Sequence, residues 1–301
     1  MMSVAGLYKR AVAAAPGAVA LPLSPREERA CLSIGRAALV ALYAELWARP
    51  KPGLVSLADN GSHADMDAST FLRSLSALRG YFAQVARSGA RGAGFDELRA
   101  AGVEAEARML RATGNVNTHR GAIFTLGLLA AAAGRIFCAG GSFDGDALGR
   151  VAADLWGRDI LAAGPGNPWS HGRLVARRYG ASGAREEAAA GFPHVFTAGL
   201  PALRRALAKG PDLNAAAVQA FFSLMAVVPD NNLLFRGGTQ ALSYARRLAR
   251  SFLKRGGVYR ENWQEDGLSI HRALVARRLS PGGSADLLAA SIFVHCIQRK
   301  T

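Results

Sequence analysis

Apolar residues recur at helical spacing along almost the whole chain and almost nowhere alternate with polar ones. Phe71, Leu75, Leu78, Phe82 and Val85 show the pattern, which marks one face of an α-helix. Period-two alternation, the mark of a half-buried strand, is nearly absent, so an all-α, bundle-like fold is expected. With 301 residues, half of them hydrophobic, the chain can bury a large core and is not disordered. Its many Ala and Gly suit long, closely packed helices, although a GC-rich genome gives the same bias.

Local signals place the helices. Ser24-Pro25-Arg26-Glu27 is a capping box with proline at the first helical position. The helix it opens should run to Trp47 and stop at Arg49-Pro50. A loop rich in Pro, Gly, Asn and Asp follows, and a second helix, carrying Phe71 to Val85, begins near Asp67 or Ser69. A third covers about 95–112 and ends at Gly114, and an apolar helix then runs to about Ala133. Further helices are expected over 144–163, 194–208, 212–228, 238–255, 262–279 and 284–299, with Asp212 and Ser284 as N-caps. The stretch 164–192 is the least regular. Residues 24–301 should form one all-α domain, preceded by a flexible tail over 1–23.

The net charge is +15, from 37 basic and 22 acidic residues. Such a balance attracts polyanions, but the Arg residues are scattered in twos and threes, as solvated helix faces carry them. Neither a dense basic arm nor an aromatic-interleaved patch is present, so no stable nucleic-acid partner is expected. No apolar run reaches the roughly 20 residues that span a bilayer, "GAIFTLGLLAAAAG" being the nearest, so no membrane partner is expected either. Lys9 and Arg10 before "AVAAAPGAVALPL" mimic a signal peptide. Pro16 and Gly17 break that stretch, and three unpaired cysteines argue against export, so a cytoplasmic protein is expected. Ala/Gly surfaces would permit a homodimer, but nothing specifies one.

Four loop-to-helix junctions carry more polar chemistry than a turn requires. In "PKPGLVSLADNGSHADMD", His63, Asp65 and Asp67 lie close together. Carboxylates spaced this way can converge on a hard cation; equally, Asp67 can be an N-cap with His63 and Asp65 solvated. In "TGNVNTHRGAIF", a helix N-terminus is an anion site by its free N–H groups and dipole. Arg120 adds charge and His119 a donor; the plainer alternative is a capping turn at Asn117 or Thr118. "VVPDNNLLFRGG" pairs Asp230 with Arg236, and "LSPGGSADLLAA" brings Ser284 and Asp286 into a helix start, where Asp286 also suits the dipole. Glu104 and Glu106 are either surface or site residues. Glu45 faces either the site or a helix partner. Four clusters of one kind suggest a nucleotide-handling enzyme, and no Walker-type loop is present.

The order of these clusters, "PKPGLV…NGSHADMDASTF", "TGNVNTHRGAIFTLGLL", "PDNNLLFRGG" and "PGGSADLLAA", resembles the triphosphoribosyl-dephospho-coenzyme A synthase family from about residue 30 to the C-terminus. The "NPWSHG" loop and the "HRALVARRLSPGGSADLLAA" ending resemble the branch associated with malonate decarboxylase more than the citrate lyase branch. The family's usual Ala between Gly61 and His63 is Ser62 here, and its usual Lys after the Thr-His pair is Arg120, a forked cation in place of a point charge.

The resemblance implies an all-α transferase acting on ATP and 3'-dephospho-coenzyme A. Adenine leaves, and 2'-(5''-triphosphoribosyl)-3'-dephospho-coenzyme A forms, destined for a transferase that completes an acyl-carrier-protein prosthetic group. It implies Mg²⁺ near Asp65, Asp67 and Asp230. Lys51, Asn117, His119, Arg120, Arg236 and Ser284 would hold substrate, the cations and His119 its phosphates. His63 is the expected base, with Asp286 or Glu106 as alternatives. Two rivals remain: a metal-dependent nucleotide or ADP-ribosyl hydrolase using water as acceptor, and a non-catalytic helical nucleic-acid-binding protein.

Overall fold

A computed structural model describes residues 22–163, 171–180, 182–210 and 212–299. Most of the expected tail, the signal-like stretch, Trp169 and much of the "NPWSHG" loop lie outside the described residues. Pro22 and Leu23 are described, and Leu23 packs against the core.

Among the described residues there are thirteen α-helices and no strand. Helix α1 (Pro25–Trp47) opens at the expected box, where the Ser24 hydroxyl accepts from the Glu27 N–H and Glu27 accepts from the Ser24 N–H at 2.7 Å. The single helix expected next is two, α2 (Ala68–Ala77) and α3 (Tyr81–Ala90), because the chain turns at Gly80 in the left-handed region (φ 88°). Helix α4 (Phe95–Thr113) ends at left-handed Gly114 as expected. Helix α5 (Arg120–Cys138) runs past Ala133, and α6 (Ala147–Ala162) follows it. The irregular stretch holds two short helices, α7 (His171–Tyr179) and α8 (Ala184–Ala189). A π-helical segment (Val195–Gly199) leads into α9 (Leu200–Ala208), and Asp212 caps α10 (Leu213–Met225).

The last three helices frame the site. Helix α11 (Asn231–Lys254) starts well before the expected residue 238, because Asp230 caps it; the Gly237-Gly238 pair breaks it internally (Gly238 φ 64°, ψ −162°). A short 3-10 turn (Gly257–Tyr259) precedes α12 (Trp263–Val275), and α13 (Gly282–Gln298) starts ahead of Ser284, which is therefore not its N-cap.

Helix α5 is the central post, packed on α1, α3, α4, α6 and α13. Its small residues set the distance to α3. A Cβ on Gly134 would fall 2.0 Å from the Ala86 carbonyl oxygen, and one on Gly89 2.0 Å from that of Ala131. The Ala/Gly composition thus reports backbone-to-backbone approach of two helices, at a density that leaves no room for a methyl. Contrary to expectation, α1 and α5 are long and apolar enough to cross a membrane by length and composition. Of α5's apolar window, 78% is buried inside the protein, as a core helix requires.

Candidate active site

The stretch from Leu279 to Asp286, which leads from the turn after α12 into the start of α13, is where the polar junctions meet. From the 50–67 loop, the Ser62 hydroxyl donates to the Leu279 carbonyl (2.6 Å) and His63 Nε2 lies 2.8 Å from Ser280 Oγ. From α11, the Arg236 guanidinium donates to the carbonyls of Arg278 (2.8 Å) and Ser62 (3.2 Å) and reaches His63 Nδ1 at 3.4 Å. A guanidinium can only donate, so Nδ1 is the acceptor and Nε2 carries the hydrogen toward Ser280. Burial and then Arg236 lower the His63 pKa, with Asp65 opposing them. At neutral pH the ring is an uncharged base.

A second, deeper set lies behind this rim. Lys51 is 2% exposed and its ammonium pairs with the buried Glu45 carboxylate. The expected phosphate cation is therefore an interior counter-ion, and Glu45 faces the inside of the site. His119 is buried too: its Nδ1 is 2.6 Å from Ser74 Oγ, and its Nε2 has no hydrogen-bond partner. Burial, then Lys51, pushes its pKa down to about 3, so it presents a neutral ring and not a charge.

Asp230 bridges two helices. One oxygen accepts from the Asn232 N–H (3.0 Å) and Leu233 N–H (3.4 Å) at the start of α11. The other accepts from the Ser284 N–H (2.8 Å) and hydroxyl (3.0 Å) at the start of α13. A carboxylate whose two oxygens accept four donors in the core is a double helix cap. Asp286, partly buried one turn into α13, rests on the N-terminus of α5. The Ala122 N–H bonds its carboxyl, and a Cβ on Gly121 would fall 1.9 Å from its Oδ2. Desolvation, then Glu45, then Asp230 raise its pKa well above the carboxylate range.

The remaining expected residues have local partners. Asp67 caps α2, accepting from the Thr70 N–H (2.8 Å) and the Ser69 and Thr70 hydroxyls, bonds that bring its pKa down to about 2. Glu106 pairs with Arg120, Nε to Oε1 at 2.6 Å, on the exposed side of α4 and α5, so the alternative base and the expected phosphate cation neutralise each other. Asn117 accepts from the Arg120 N–H at 3.2 Å, but the N-cap of α5 is His119, neither Asn117 nor Thr118, and it makes no side-chain cap bond. Asp65 stays 64% exposed, 3.7 Å from His63.

The residues set for Mg²⁺ do not converge. Asp230 is saturated by its donors, Asp67 is a cap, and among the described residues no group of three His, Cys, Asp or Glu side chains is disposed to hold a metal. Ser74 and Ser280 join the site without having been singled out from the sequence. A lone serine in a helix or turn carries no signal until its partner is known.

Comparison with known proteins agrees with the order of the clusters. The profile of the family described as CitG, ATP:dephospho-CoA triphosphoribosyl transferase, matches residues 31–301. The chain is 40% identical over 263 residues to the probable 2-(5''-triphosphoribosyl)-3'-dephosphocoenzyme-A synthase of Acinetobacter calcoaceticus, covering 87% of this chain and 90% of that one. It is 39% identical over 264 residues to the 2-(5''-triphosphoribosyl)-3'-dephosphocoenzyme-A synthase of Klebsiella pneumoniae (84% and 87% covered). To a probable synthase of the same name from Vibrio cholerae serotype O1 (strain M66-2) it is 36% identical over 272 residues (87% of each). No solved structure matches the chain. With the profile spanning the whole helical domain beyond the first turns of α1, this chain is a member of the ATP:dephospho-CoA triphosphoribosyl transferase family.

Proposed function

We propose that the protein transfers the triphosphoribosyl group of ATP to the 2'-hydroxyl of 3'-dephospho-coenzyme A, releasing adenine. The observation that supports this most is the meeting of all four polar junctions around residues 279–286, with an uncharged histidine at the rim and carboxyls behind it. In this account His63 takes the proton of the attacking hydroxyl on Nδ1, the ring nitrogen without a hydrogen, whose 3.4 Å contact with Arg236 gives way to substrate, and Arg236 favours the uncharged ring. The triphosphate lies toward the N-terminus of α5, where the helix dipole favours an anion. Arg236 is its cation at the rim and Arg120, half-exposed, joins it by exchanging Glu106 for phosphate, while Lys51 acts from the interior by fixing Glu45.

Mg²⁺ enters this account as the ion that ATP carries on its phosphates, and Asp65, exposed in the 50–67 loop, is the carboxylate placed to meet it. No step is assigned to the metal. Holding both substrates in one groove is itself a large part of the catalysis, since it removes the entropy of bringing them together. We further place the enzyme in the malonate decarboxylase branch, on the "NPWSHG" and "SPGGSADLLAA" stretches, with the product passing to a transferase that loads an acyl carrier protein.

The test is to incubate the protein with ATP, Mg²⁺ and dephospho-coenzyme A and to measure free adenine by chromatography, omitting each component in turn. Adenine release that needs dephospho-coenzyme A, and that falls in Asp65→Ala and His63→Ala, is the expected result. Release without an acceptor would mean a hydrolase. No turnover, with tight salt-sensitive binding to nucleic acid, would overturn the enzymatic account.

A further inference from the structure

Transfer from ATP breaks the bond between ribose C1' and adenine N9, and the electron pair leaves on the base. A purine anion leaves poorly, so the site needs a group that keeps a proton at neutral pH and gives it to a ring nitrogen. Most titratable groups here are unsuited to that task. His63 and His119 are proton-poor rings. Lys51 is held by Glu45, Glu106 by Arg120, and Asp67 by three donors at its helix cap. Burial raises the Asp230 pKa too, but its oxygens already accept from four donors, which leaves no place for a transferable proton.

Asp286 differs from all of these. The charges that raise its pKa are both carboxylates, Glu45 from α1 and Asp230 from the cap of α11, opposed by the backbone N–H of Ala122. Of the cations on other elements packed on α13, Arg120, beside Gly121 on α5, pairs with Glu106, and Arg236 of α11 bonds two backbone carbonyls and His63. Helix α10 has no charged residue, the π segment has none, and Arg204 of α9 bonds Gln298 at the opposite end of α13. Lys51 is committed to Glu45, and the neutral His119 supplies no charge. Asp286 is also well placed. It lies against Gly121 in the first turn of α5, so closely that any side chain there would displace it, and it is only partly buried.

We propose that Asp286 is the acid that protonates the departing adenine, a role that rests on the transferase activity proposed above. In the step, the C1'–N9 pair moves onto adenine while the Asp286 carboxyl proton passes to a ring nitrogen, so neutral adenine leaves. The 2'-oxygen of dephospho-coenzyme A bonds to C1' and its proton passes to His63. Proton exchange with solvent then restores both residues. His63 and Asp286 thus divide base and acid work, one at the rim and the other behind it.

The test compares two leaving groups in the full-length enzyme with dephospho-coenzyme A as acceptor. One donor is ATP; the other is the 5'-triphosphate of p-nitrophenyl riboside, whose nitrophenolate leaves without a proton. Asp286→Asn should lose adenine release by about 100-fold or more, the usual scale of general acid catalysis, yet keep nitrophenolate release within about fivefold. Its thermal midpoint at pH about 7 should stay close to that of the wild type, because the amide replaces a carboxyl that is already uncharged there. Equal loss on both donors, or a lowered midpoint, would overturn the assignment in favour of a base or a structural residue. Gly121→Ala, which displaces the carboxyl while keeping Asp286, should reproduce the leaving-group pattern and serves if Asp286→Asn does not fold. A wild type inert toward ATP with any acceptor would instead overturn the transferase activity itself, and the acid with it.

Discussion

Two buried residues show how single side chains set the properties of this site. Wild-type stability should fall in acid through His119. Its folded pKa of about 3 lies below the ordinary 6.5, so between those values the unfolded chain binds a proton that the native ring refuses. Stability is therefore highest above pH 6.5 and declines as pH falls toward 3. Urea unfolding should show His119→Gln losing about 2 kcal/mol less than the wild type between pH about 6.5 and about 5; equal losses would contradict a buried, neutral His119. Asp230 should behave as a structural anion. Asp230→Ala strips caps from α11 and α13 together, and should lower unfolding free energy by about 2–4 kcal/mol. A variant of normal stability but poor substrate binding would assign it to the ligand after all.

At the scale of the element, the site depends on where helices start and on how closely they approach. Helix α5 must bring its N-terminus under Asp286, and its position against α3 is fixed by Gly89 and Gly134, each facing a backbone carbonyl on the other helix. Gly134→Ala adds a methyl that cannot fit without pushing the helices apart. It should cost about 2–3 kcal/mol of stability despite the better helix propensity of alanine, measured by the denaturant midpoint. An unchanged midpoint would mean that this helix pair is looser than its geometry indicates. The break at Gly237-Gly238 separates the capped first turns of α11, which carry Arg236 to the rim, from the long amphipathic remainder.

For the molecule as a whole, the charge of +15 is relevant to encounter with substrate and not to fold. Two highly anionic substrates approaching a strongly basic protein should be steered by its field. Consequently kcat/KM for ATP should fall several-fold between about 50 and 200 mM salt, with kcat nearly constant. A salt-independent kcat/KM would show that the scattered Arg residues act only as solvated helix faces. Much of the charge is already locally paired, as in Arg87–Glu28 and Arg120–Glu106, and surface pairs of this kind add little stability.

The sequence by itself determined the helical class, most helix limits and the four junctions from which the site is built. These features follow from local rules: a 3.6-residue period, a capping box at Ser24, and a left-handed glycine at 114. It also carried the family in the order of its clusters. Helix ends set by distant groups were not legible. Asp230 takes over the cap expected of Ser284 from 54 residues away, and no local pattern encodes that distance. For the same reason, tertiary structure alone decided the states of the charged residues. Lys51 and His119 read as phosphate ligands because their chemistry suits phosphate, but packing buried both, giving one a carboxylate partner and the other a neutral ring. The proton on Asp286 is the clearest case. An aspartate in a first helical turn is ionised by every local rule, and only burial and the convergence of α1, α5 and α11, which bring Glu45 and Asp230 near it, oppose that state.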